Sequence, residues 1–575
     1  MNVDLREVRH FPPSPIGPQL LDEAETLTGL VAALADRFPD WECLTILDRA
    51  REERSLTLGA LWARARAVQA AIVRTGLAPG EIALLVLPTG PELVSAYFAV
   101  MLAGGVPGLL ATPSNRVADR RVYAARIGAL LANARARLLY CEEEVAALFR
   151  DDPALLAGAA LLTPAEAGAT GAPPPVVEVG SEAIATVQYS SGSTGIPKGV
   201  LLAHRALLNN IRAVRDGLAL TAADVSVNWI PLYHDMGLID AFLMPLVIGC
   251  PTVLIPTTDF MREPALWLWA ITRYRGTISW APNFAYALCA GRIAEEELVG
   301  LHLSSWRIAI NAAEPVLAHT IDAFTTHFAP HGFTAEAMTP AWGLAENVTI
   351  ATAHPVPERP RVERINRHSL VTDSVAVSVA ADGLSSVAIG RCLPRCEVEI
   401  RDAAGRPLPD RRVGAVWLRS DSLFQGYHRD PELTARILVE GWLDTGDQGY
   451  LADGDLYFVA RAKDVIIIGG EKYAPHDVET AINRVPGVRE GCAVAFGVLD
   501  AERGTEDLAA VVETRETDAV RLAALREAIR WEVITAVGLA VRHLLLVPPG
   551  GIEKTTSGKL ARRATRERHA AHFPH

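Results

Sequence analysis

The chain has 575 residues, half of them hydrophobic, and a formal net charge of −12. A chain of this length exceeds one ordinary hydrophobic core, so we expect two or more domains. The hydrophobic content excludes wholesale disorder, and the negative charge argues against an extended nucleic-acid-binding surface.

The cysteines and the N-terminal residues indicate the cellular compartment of the protein. The seven cysteines are an odd number without framework spacing, which is typical of free thiols in a reducing compartment. The N-terminus carries acidic residues and prolines where a signal peptide has a basic segment and an apolar run. The apolar stretch 241–255 is interrupted by prolines and a glycine, so we expect no membrane span. We therefore expect a cytoplasmic protein.

The first part of the chain has the pattern of an α/β protein. Over residues 26–149, helical patterns alternate with short apolar runs such as 82–87. Residues 185–189 and 200–202 predict two strands joined by a hairpin-like loop.

Further strands are predicted at 225–230, 252–255 and 306–310, with helical segments such as 263–273 between them. Short β-rich runs over 387–418 predict a smaller β subdomain.

A second domain is predicted from about Asp464 onward. A strand at 465–468 and a helix opening near 475–477 begin it, and the remaining residues, roughly 100, suit a compact α+β module. The Arg- and His-rich tail 561–575 is expected to fray.

The loop between the two hairpin strands, SSGSTGIPKG at 190–199, is the most specific local feature. Its glycines let backbone N–H groups turn toward phosphate oxygens, its hydroxyl groups donate to those oxygens, and Lys198 adds a positive charge. A Walker A loop has glycine before the lysine, whereas Pro197 stands here, so a P-loop NTPase is disfavoured. A Ser/Gly-rich linker has the same composition, but the strand flanks favour a nucleotide-using enzyme.

Four later segments make this interpretation sharper: WGLAE at 342–346, GWLDTGD at 441–447, RAKD at 461–464 and KTTSGK at 554–559. In this order they resemble the adenylate-forming superfamily of acyl-CoA synthetases, peptide-synthetase adenylation domains and luciferases. The resemblance implies a large N-terminal α/β domain over 1–462 and a small mobile α+β domain over 463–575. It also implies ATP and Mg²⁺ as cofactors, with no prosthetic group.

The implied reaction explains the residue types. A carboxylate attacks the α-phosphate of ATP, pyrophosphate leaves, and a thiol then captures the acyl-adenylate. Because carboxylate and triphosphate repel each other, cations and hydrogen-bond donors must hold both. The resemblance places the triphosphate on Ser190, Ser191, Gly192, Ser193, Thr194, Gly195 and Lys198.

The resemblance also implies roles at the nucleotide. Glu346 and Thr194 would hold Mg²⁺, and both are expected to act in catalysis. Asp447 would accept hydrogen bonds from the ribose hydroxyls, supported by Arg461. Trp342 with Gly343 would stack on adenine, which Ala312, Ala313 and Glu314 would line. The structural alternatives are a turn-capping aspartate and a core tryptophan.

Two lysines have implied roles in the small domain. Lys559 resembles the mobile catalytic lysine that bridges the substrate carboxylate and the α-phosphate, although an exposed lysine is usually only solvated. Lys463 falls at the hinge between the two domains.

The segment YHDMGLI at 233–239 resembles fatty acyl-AMP ligases, which pass the acyl group to the phosphopantetheine of an acyl carrier protein. We therefore expect a carrier protein in trans, with no nucleic-acid partner. His234 is a catalytic candidate, and the implied acyl pocket contains His234, Asp235, Met236, Gly237, Asp240 and Trp280. Asp240 and Trp280 stand where small residues are expected in long-chain members, which favours a short, medium or functionalised acid.

The length of one connection also supports a resemblance to fatty acyl-AMP ligases. The 44 positions from Glu346 to Gly390 leave room for an insertion within 350–388. In fatty acyl-AMP ligases this insertion restrains domain movement, and a tolerated surface loop is the alternative. The segment GGEKYAP at 469–475 is closer to acyl-CoA synthetases, so a CoA-forming enzyme stays open. An amino-acid adenylation enzyme and a catalytically inactive adenylate-binding protein are weaker alternatives.

The tail offers one further partner surface, a basic run formed by Arg562, Arg563, Arg566 and Arg568. Such a run suits an acidic carrier protein, and a solvated tail explains it equally well.

Overall fold

A computed structural model describes residues 3–113, 120–168, 173–190, 197–468, 471–500, 505–555 and 558–573. The side chain of Ser190 lies outside this description. Within the described residues, no helix has the length and apolar character that crossing a membrane requires.

The strands are β1 Glu42–Leu47, β2 Glu53–Thr57, β3 Ile82–Val86, β4 Val106–Leu109, β5 Leu138–Cys141, β6 Ala160–Leu162, β7 Ile184–Ser190, β8 Lys198–Ala203, β9 Ser226–Asn228, β10 Thr252–Leu254, β11 Ile278–Ala281, β12 Ile308–Asn311, β13 Met338–Gly343, β14 Ile350–Ala353, β15 Val362–Ile365, β16 Leu384–Val387, β17 Arg391–Cys392, β18 Cys396–Arg401, β19 Gly414–Ser420, β20 Gly426–Tyr427, β21 Leu438–Val439, β22 Trp442–Ala452, β23 Asp455–Arg461, β24 Ile466–Ile468, β25 Glu471–Tyr473, β26 Val488–Asp500, β27 Thr505–Thr514 and β28 Val541–Val547.

The α-helices are α1 Gln19–Glu23, α2 Leu27–Arg37, α3 Leu58–Arg74, α4 Pro91–Leu102, α5 Arg120–Ala134, α6 Glu143–Asp151, α7 Pro164–Ala167, α8 His204–Gly217, α9 Met244–Ile248, α10 Thr257–Arg262, α11 Ala265–Tyr274, α12 Asn283–Arg292, α13 Ala318–Phe328, α14 Arg367–Thr372, α15 Pro431–Ile437, α16 Pro475–Asn483, α17 Ala519–Val537 and α18 Arg562–Arg568. A π-helix, Met236–Leu243, runs directly into α9.

The largest sheet has the strand order β17-β14-β13-β12-β11-β9-β10-β1-β2. Its centre, from β13 to β1, is parallel, because helices such as α11, α12 and α13 carry the chain back between successive strands. Every residue of β11 and β12 is buried, as in a sheet that is covered on both faces. The predicted α/β class is confirmed.

A second parallel sheet, β4-β3-β5-β6, lies beside a small sheet of order β20-β8-β7. Strands β7 and β8 pair antiparallel, with Ser190 opposite Lys198, which confirms the predicted hairpin. The antiparallel sheet of β18, β19, β21, β22 and β23 forms the predicted β-rich subdomain and continues beyond the predicted range of 387–418.

The C-terminal part has its own core around the sheet β26-β27-β28. Alternate residues of β26 face opposite sides: Ala493 and Ala495 pack toward α16 and α17, while Val494 and Phe496 pack with the C-terminal residues. Both clusters consist of residues beyond 463. The exact domain boundary at 462/463 stays a prediction.

The tail does not fray as expected. Residues 562–568 form α18, and Phe573 is only 8% exposed because it packs edge-on against Phe496 at 5.1 Å between ring centroids. Burial of this aromatic ring supplies the free energy that the sequence pattern did not reveal.

The arginines of the tail are paired within the protein. Arg562 bonds Glu479, Arg563 bonds Glu567 and Arg568 bonds Glu553, while Arg566 lies over the ring of Phe496. The basic run is therefore largely neutralised, which weakens it as a surface for an acidic partner.

The predicted insertion lies mostly outside the main sheet. Strands β15 and β16 form a separate antiparallel pair flanking α14, whereas residues 350–353 belong to β14 of the main sheet. This additional structure spans 362–387 and falls within the predicted range of 350–388. Its identity as an insertion stays a prediction.

Candidate active site

The predicted site residues lie at the carboxyl edge of the main sheet. Four neighbouring parallel strands, β9, β11, β12 and β13, end there, and His234, Trp280, Ala312 and Trp342 lie at or just beyond those ends. Ligands bind at this edge in open α/β sheets because loops from successive strands converge there. The topology thus gathers segments that are far apart in the sequence.

Lys559 reaches this edge from the C-terminal part of the chain. Its Nζ lies 3.0 Å from His234 Nε2, and His234 Nδ1 lies 2.5 Å from Asp235 Oδ1. His234 Nδ1 also lies 3.3 Å from the backbone N–H of Met236, and Nε2 accepts a hydrogen bond from the lysine ammonium when that nitrogen carries no proton. The structure thus brings these three residues together, a contact that the sequence did not predict.

The ionisation of this cluster follows from burial and charge. Burial lowers the pKa of Lys559, and the charges of Asp235 and Glu314 oppose that shift. For Asp235, burial acts to raise the pKa, but His234 and Lys559 outweigh it and hold the pKa below its ordinary value. A negative charge therefore lies beside the buried lysine.

Glu314 contacts the same region from the segment after β12. Its Oε1 accepts a hydrogen bond of 2.5 Å from the backbone N–H of Phe284, in the first turn of α12. Burial raises the pKa of Glu314 although Lys559 acts in the opposite direction. Ala312 is buried, and Ala313 is exposed with a left-handed φ of 69°.

Asp447 contacts one cation and one hydrogen-bond donor. It lies opposite Arg461 in the β22–β23 pair, with Arg461 Nε 2.8 Å from Oδ1, while Trp342 Nε1 donates to Oδ2 at 2.8 Å. Asp447 is 1% exposed, and burial raises its pKa against the effect of Arg461. Each carboxylate oxygen still has a lone pair for ligand hydroxyls.

Trp342 therefore uses the edge of its ring to orient Asp447, a contact that the sequence did not predict. Gly343 follows it, and a Cβ at this glycine would lie 2.2 Å from the carbonyl oxygen of Thr349, so the position requires glycine. The predicted stacking of Trp342 on adenine stays a prediction.

Tyr427 is a site residue that the sequence analysis missed. Its hydroxyl donates to Glu346 Oε1 at 2.5 Å, and its ring lies 5.1 Å from Lys198 Nζ. Strand β20, which carries Tyr427, pairs with β8, which carries Lys198. No local spacing marks this tyrosine, because its partner Glu346 is 81 positions away.

Most of the implied acyl-pocket residues are buried, whereas His234 and Asp235 are partly exposed. The π-helix starts directly after Asp235 and contains Met236, Gly237 and Asp240, which are all buried, and Trp280 on β11 is fully enclosed. A Cβ at Gly237 would lie 2.1 Å from Pro231 O, so only glycine fits there. π-Helical turns are frequent at functional sites.

Part of the predicted site falls outside the described residues: Ser191, Gly192, Ser193, Thr194 and Gly195. The described ends of this segment, Ser190 and Lys198, are paired neighbours in β7 and β8.

The additional structure at 362–387 touches the C-terminal part at two points. Thr372 Oγ1 donates to Glu471 Oε1 at 3.2 Å, and Arg367 donates to the carbonyl oxygen of Ala536 at the end of α17. Gly558, next to Lys559, packs against the ring of Phe284. The C-terminal part is thus held from both sides of the site.

Comparison with known proteins gives a consistent result. The family model described as AMP-binding enzyme matches residues 31–428. The chain is 34% identical over 501 residues to a putative acyl-CoA synthetase of Caulobacter vibrioides, covering 85% of this chain and 86% of that protein. It is 31% identical to JamA of Moorena producens, a medium-chain-fatty-acid acyl-carrier-protein ligase, covering 90% of each.

A solved fatty acyl-adenylate ligase, from work on the E. coli and L. pneumophila enzymes, has the same fold with a TM-score of 0.88. The two chains are 33% identical, and the match covers 95% of this chain and 98% of that one.

Proposed function

Since this chain belongs to the AMP-binding enzyme family and is an AMP-forming ligase, we propose that it activates a fatty or related carboxylic acid with ATP. The acyl-AMP formed, with release of pyrophosphate, then passes its acyl group to the phosphopantetheine thiol of an acyl carrier protein supplied in trans.

The observation that carries this proposal is the contact between Lys559 and His234. It places an amine from the small C-terminal part at the edge of the main sheet, beside Asp235 and Glu314. In the proposed reaction, Lys559 lies between the substrate carboxylate and the α-phosphate, where it offsets charge that builds in the transition state. The contact with His234 holds the lysine there before substrates bind.

The proposed nucleotide contacts follow from the remaining geometry. Asp447 accepts hydrogen bonds from the ribose, because Arg461 and Trp342 orient its two oxygens. Ala312, Ala313 and Glu314 line the adenine together with Trp342, and Lys198 holds the terminal phosphates with the loop 190–195.

Glu346 fits the proposed Mg²⁺, since it is a carboxylate held in place by Tyr427 beside the cation Lys198. Hard oxygen donors are what Mg²⁺ prefers, and Thr194 would supply a hydroxyl oxygen. When bound, the ion would neutralise phosphate charge. Tyr427 keeps the Glu346 carboxylate in one orientation and so lowers the cost of binding it.

The preference for a carrier protein over CoA is supported by two observations. The additional structure at 362–387 contacts the C-terminal part through Thr372 and Arg367, which opposes its rotation. JamA, 31% identical, is named for acyl-carrier-protein ligation. A CoA-forming activity is the second candidate, favoured by the 34% identity to a putative acyl-CoA synthetase.

Product analysis tests the proposal. The protein is supplied with ATP, Mg²⁺, a mixed pool of carboxylic acids, CoA and a phosphopantetheinylated carrier protein, and the products are identified by mass spectrometry. We expect acyl-AMP and acyl-carrier without acyl-CoA. Abundant acyl-CoA supports the second candidate, and no acid-dependent pyrophosphate release with any acid refutes both.

Lys559→Ala should lower acyl-AMP formation by ~10²–10³-fold, because a preorganised cation at developing charge is removed. The measurement is acid-dependent ATP–pyrophosphate exchange. Lys472→Ala, an exposed lysine on β25, is the matched control and should leave the rate unchanged. An unchanged rate in Lys559→Ala removes the catalytic assignment.

A further inference from the structure

Asp240 carries a buried carboxyl group near the site, and two observations locate it. It lies six residues beyond His234 along the π-helix, and its Oδ1 lies 2.9 Å from Thr349 Oγ1. The backbone of Thr349 in turn packs directly on Gly343, next to Trp342. Asp240 is therefore close to the charge of Asp235 and in direct contact with Thr349, with 1% of its surface exposed.

The hydrogen bonds around Asp240 define its protonation. Asn210 Nδ2 donates to the carbonyl oxygens of Asn347 and Ile350, at 3.1 and 3.2 Å, which fixes the orientation of the amide. Asn210 Oδ1 must then face Thr349, whose Oγ1 lies 2.6 Å away. A hydroxyl has one proton, and Thr349 donates it to Asn210.

The contact between Thr349 and Asp240 consequently needs a proton from Asp240. The neutral carboxylic acid donates from Oδ1 to Thr349 Oγ1, and its Oδ2 becomes a carbonyl-type acceptor. Burial raises the pKa of Asp240 well above its ordinary value, and the nearby charge of Asp235 adds to the shift. The electrostatics and the hydrogen-bond geometry lead to the same protonation state.

Oδ2 of Asp240 has no hydrogen-bond partner among the described residues. The indole Nε1 of Trp280 is also buried and unpartnered within that part of the chain, and β11, which carries it, packs against the π-helix. Buried polar groups in native proteins are nearly always paired. Among the buried unpartnered atoms of the described residues, Asp240 Oδ2 belongs to the π-helix that directly follows His234 and Asp235, so a ligand group can supply its missing donor.

We propose that Asp240 recognises a hydroxyl group on the chain of the carboxylic acid substrate, an inference that rests on the proposed function. A hydroxyl donates to Oδ2, and its own oxygen accepts from a donor such as Trp280 Nε1. An ammonium group is a poorer match because the acid form of Asp240 carries no charge. A plain hydrocarbon chain leaves both groups unpaired.

The experiment compares octanoic acid with hydroxyoctanoic acids that carry the hydroxyl on successive carbons, using acid-dependent pyrophosphate release. For the wild-type chain, we expect one hydroxy acid to exceed octanoic acid by about tenfold or more in kcat/KM, because sites built to bond a hydroxyl reject the analogue without it.

Variants at Asp240 and Thr349, with a control at Thr186, separate the possible causes. Asp240→Leu should abolish the preference while octanoic acid is still activated, and Asp240→Ala serves the same purpose if leucine prevents folding. Asp240→Asn should retain the preference, since its amide donates to Thr349 as the neutral acid does. Thr349→Val should weaken the preference, whereas Thr186→Val, a buried threonine that bonds Pro107 in another sheet, should not.

The outcomes are distinct. If octanoic acid equals or exceeds every hydroxy acid, or if Asp240→Leu keeps the wild-type ratio, the hydroxyl recognition is wrong while the ligase function stands. If an aminooctanoic acid supplied in the same assay is preferred over every hydroxy acid and Asp240→Asn abolishes that preference, Asp240 is ionised and the hydroxyl recognition is wrong. No pyrophosphate release with any acid refutes the proposed function itself.

Discussion

Asp447 shows how single contacts set the chemistry of this site. Its carboxylate is buried, yet Arg461 and Trp342 each contact one of its oxygens, so the group has a defined direction before any nucleotide arrives. Preorganisation of this kind lowers the cost of binding because fewer groups must be ordered. The tryptophan thus contributes through its N–H as well as through its ring.

Trp342→Phe should raise the KM for ATP by about tenfold, because a hydrogen bond to a buried charged group is worth about 1.5–3 kcal/mol. The KM for the carboxylic acid should change little, and steady-state kinetics with each substrate varied in turn measures both. Trp306→Phe is the matched control, since that indole donates to the backbone of Ile308 in the core. Equal effects of the two variants on the KM for ATP would contradict the role of Trp342.

Helices α2 and α8 are linked by a buried histidine that the site does not use. His204 Nδ1 accepts a hydrogen bond of 3.2 Å from the backbone N–H of Leu27, at the start of α2. Burial lowers the pKa of His204 from 6.5 to about 4, since the interior disfavours the charged ring. The link therefore requires the neutral imidazole.

This link makes stability depend on pH. The stabilisation is complete above the unfolded-state pKa of 6.5 and is lost as pH falls toward about 4, because the unfolded chain binds the proton first. The shift corresponds to about 3 kcal/mol at most. The melting temperature, measured from pH 7.5 to 4.5, should fall less in His204→Gln than in the wild-type chain. Glutamine keeps an acceptor but does not titrate. Equal falls in melting temperature in the two proteins would contradict this role of His204.

At the scale of the whole molecule, the proposed reaction needs two arrangements of the C-terminal part. The structure has Lys559 in the site, which is the arrangement suited to acyl-AMP formation. In the proposed transfer to a thiol this lysine leaves the site, and the proposed hinge at Lys463 lies in the exposed turn after β23. The contacts that Thr372 and Arg367 make with the C-terminal part must then break or shift.

Lys463→Pro should leave acyl-AMP formation within about twofold and slow transfer to the carrier by about tenfold or more, because proline restricts the backbone rotation that the hinge needs. Pyrophosphate exchange reports the first step, and acyl-carrier formation from preformed acyl-AMP reports the second. Lys463→Ala removes the amine without restricting the backbone, so it should affect neither acyl-AMP formation nor transfer to the carrier. Equal loss of both steps in Lys463→Pro would argue against the hinge.

Much of the fold could be predicted from the sequence because it depends on local patterns. The hairpin of β7 and β8, the strands β9, β10 and β12, and the helix α16 all follow from short-range periodicity and turn residues. The tail was expected to fray because its composition is polar, and only the packing of Phe573 on Phe496 explains its order.

By itself, the sequence determined the order of the motifs, the α/β class and the residue types that the chemistry needs, because these depend on neighbours in the chain. Only the tertiary structure decided which side chains meet. Lys559 contacts His234 across 325 positions, Trp342 contacts Asp447 across 105, and Tyr427 contacts Glu346 across 81. The physical reason is that strand order and domain contacts set such distances, and these arise from burial of the whole core and not from any local pattern.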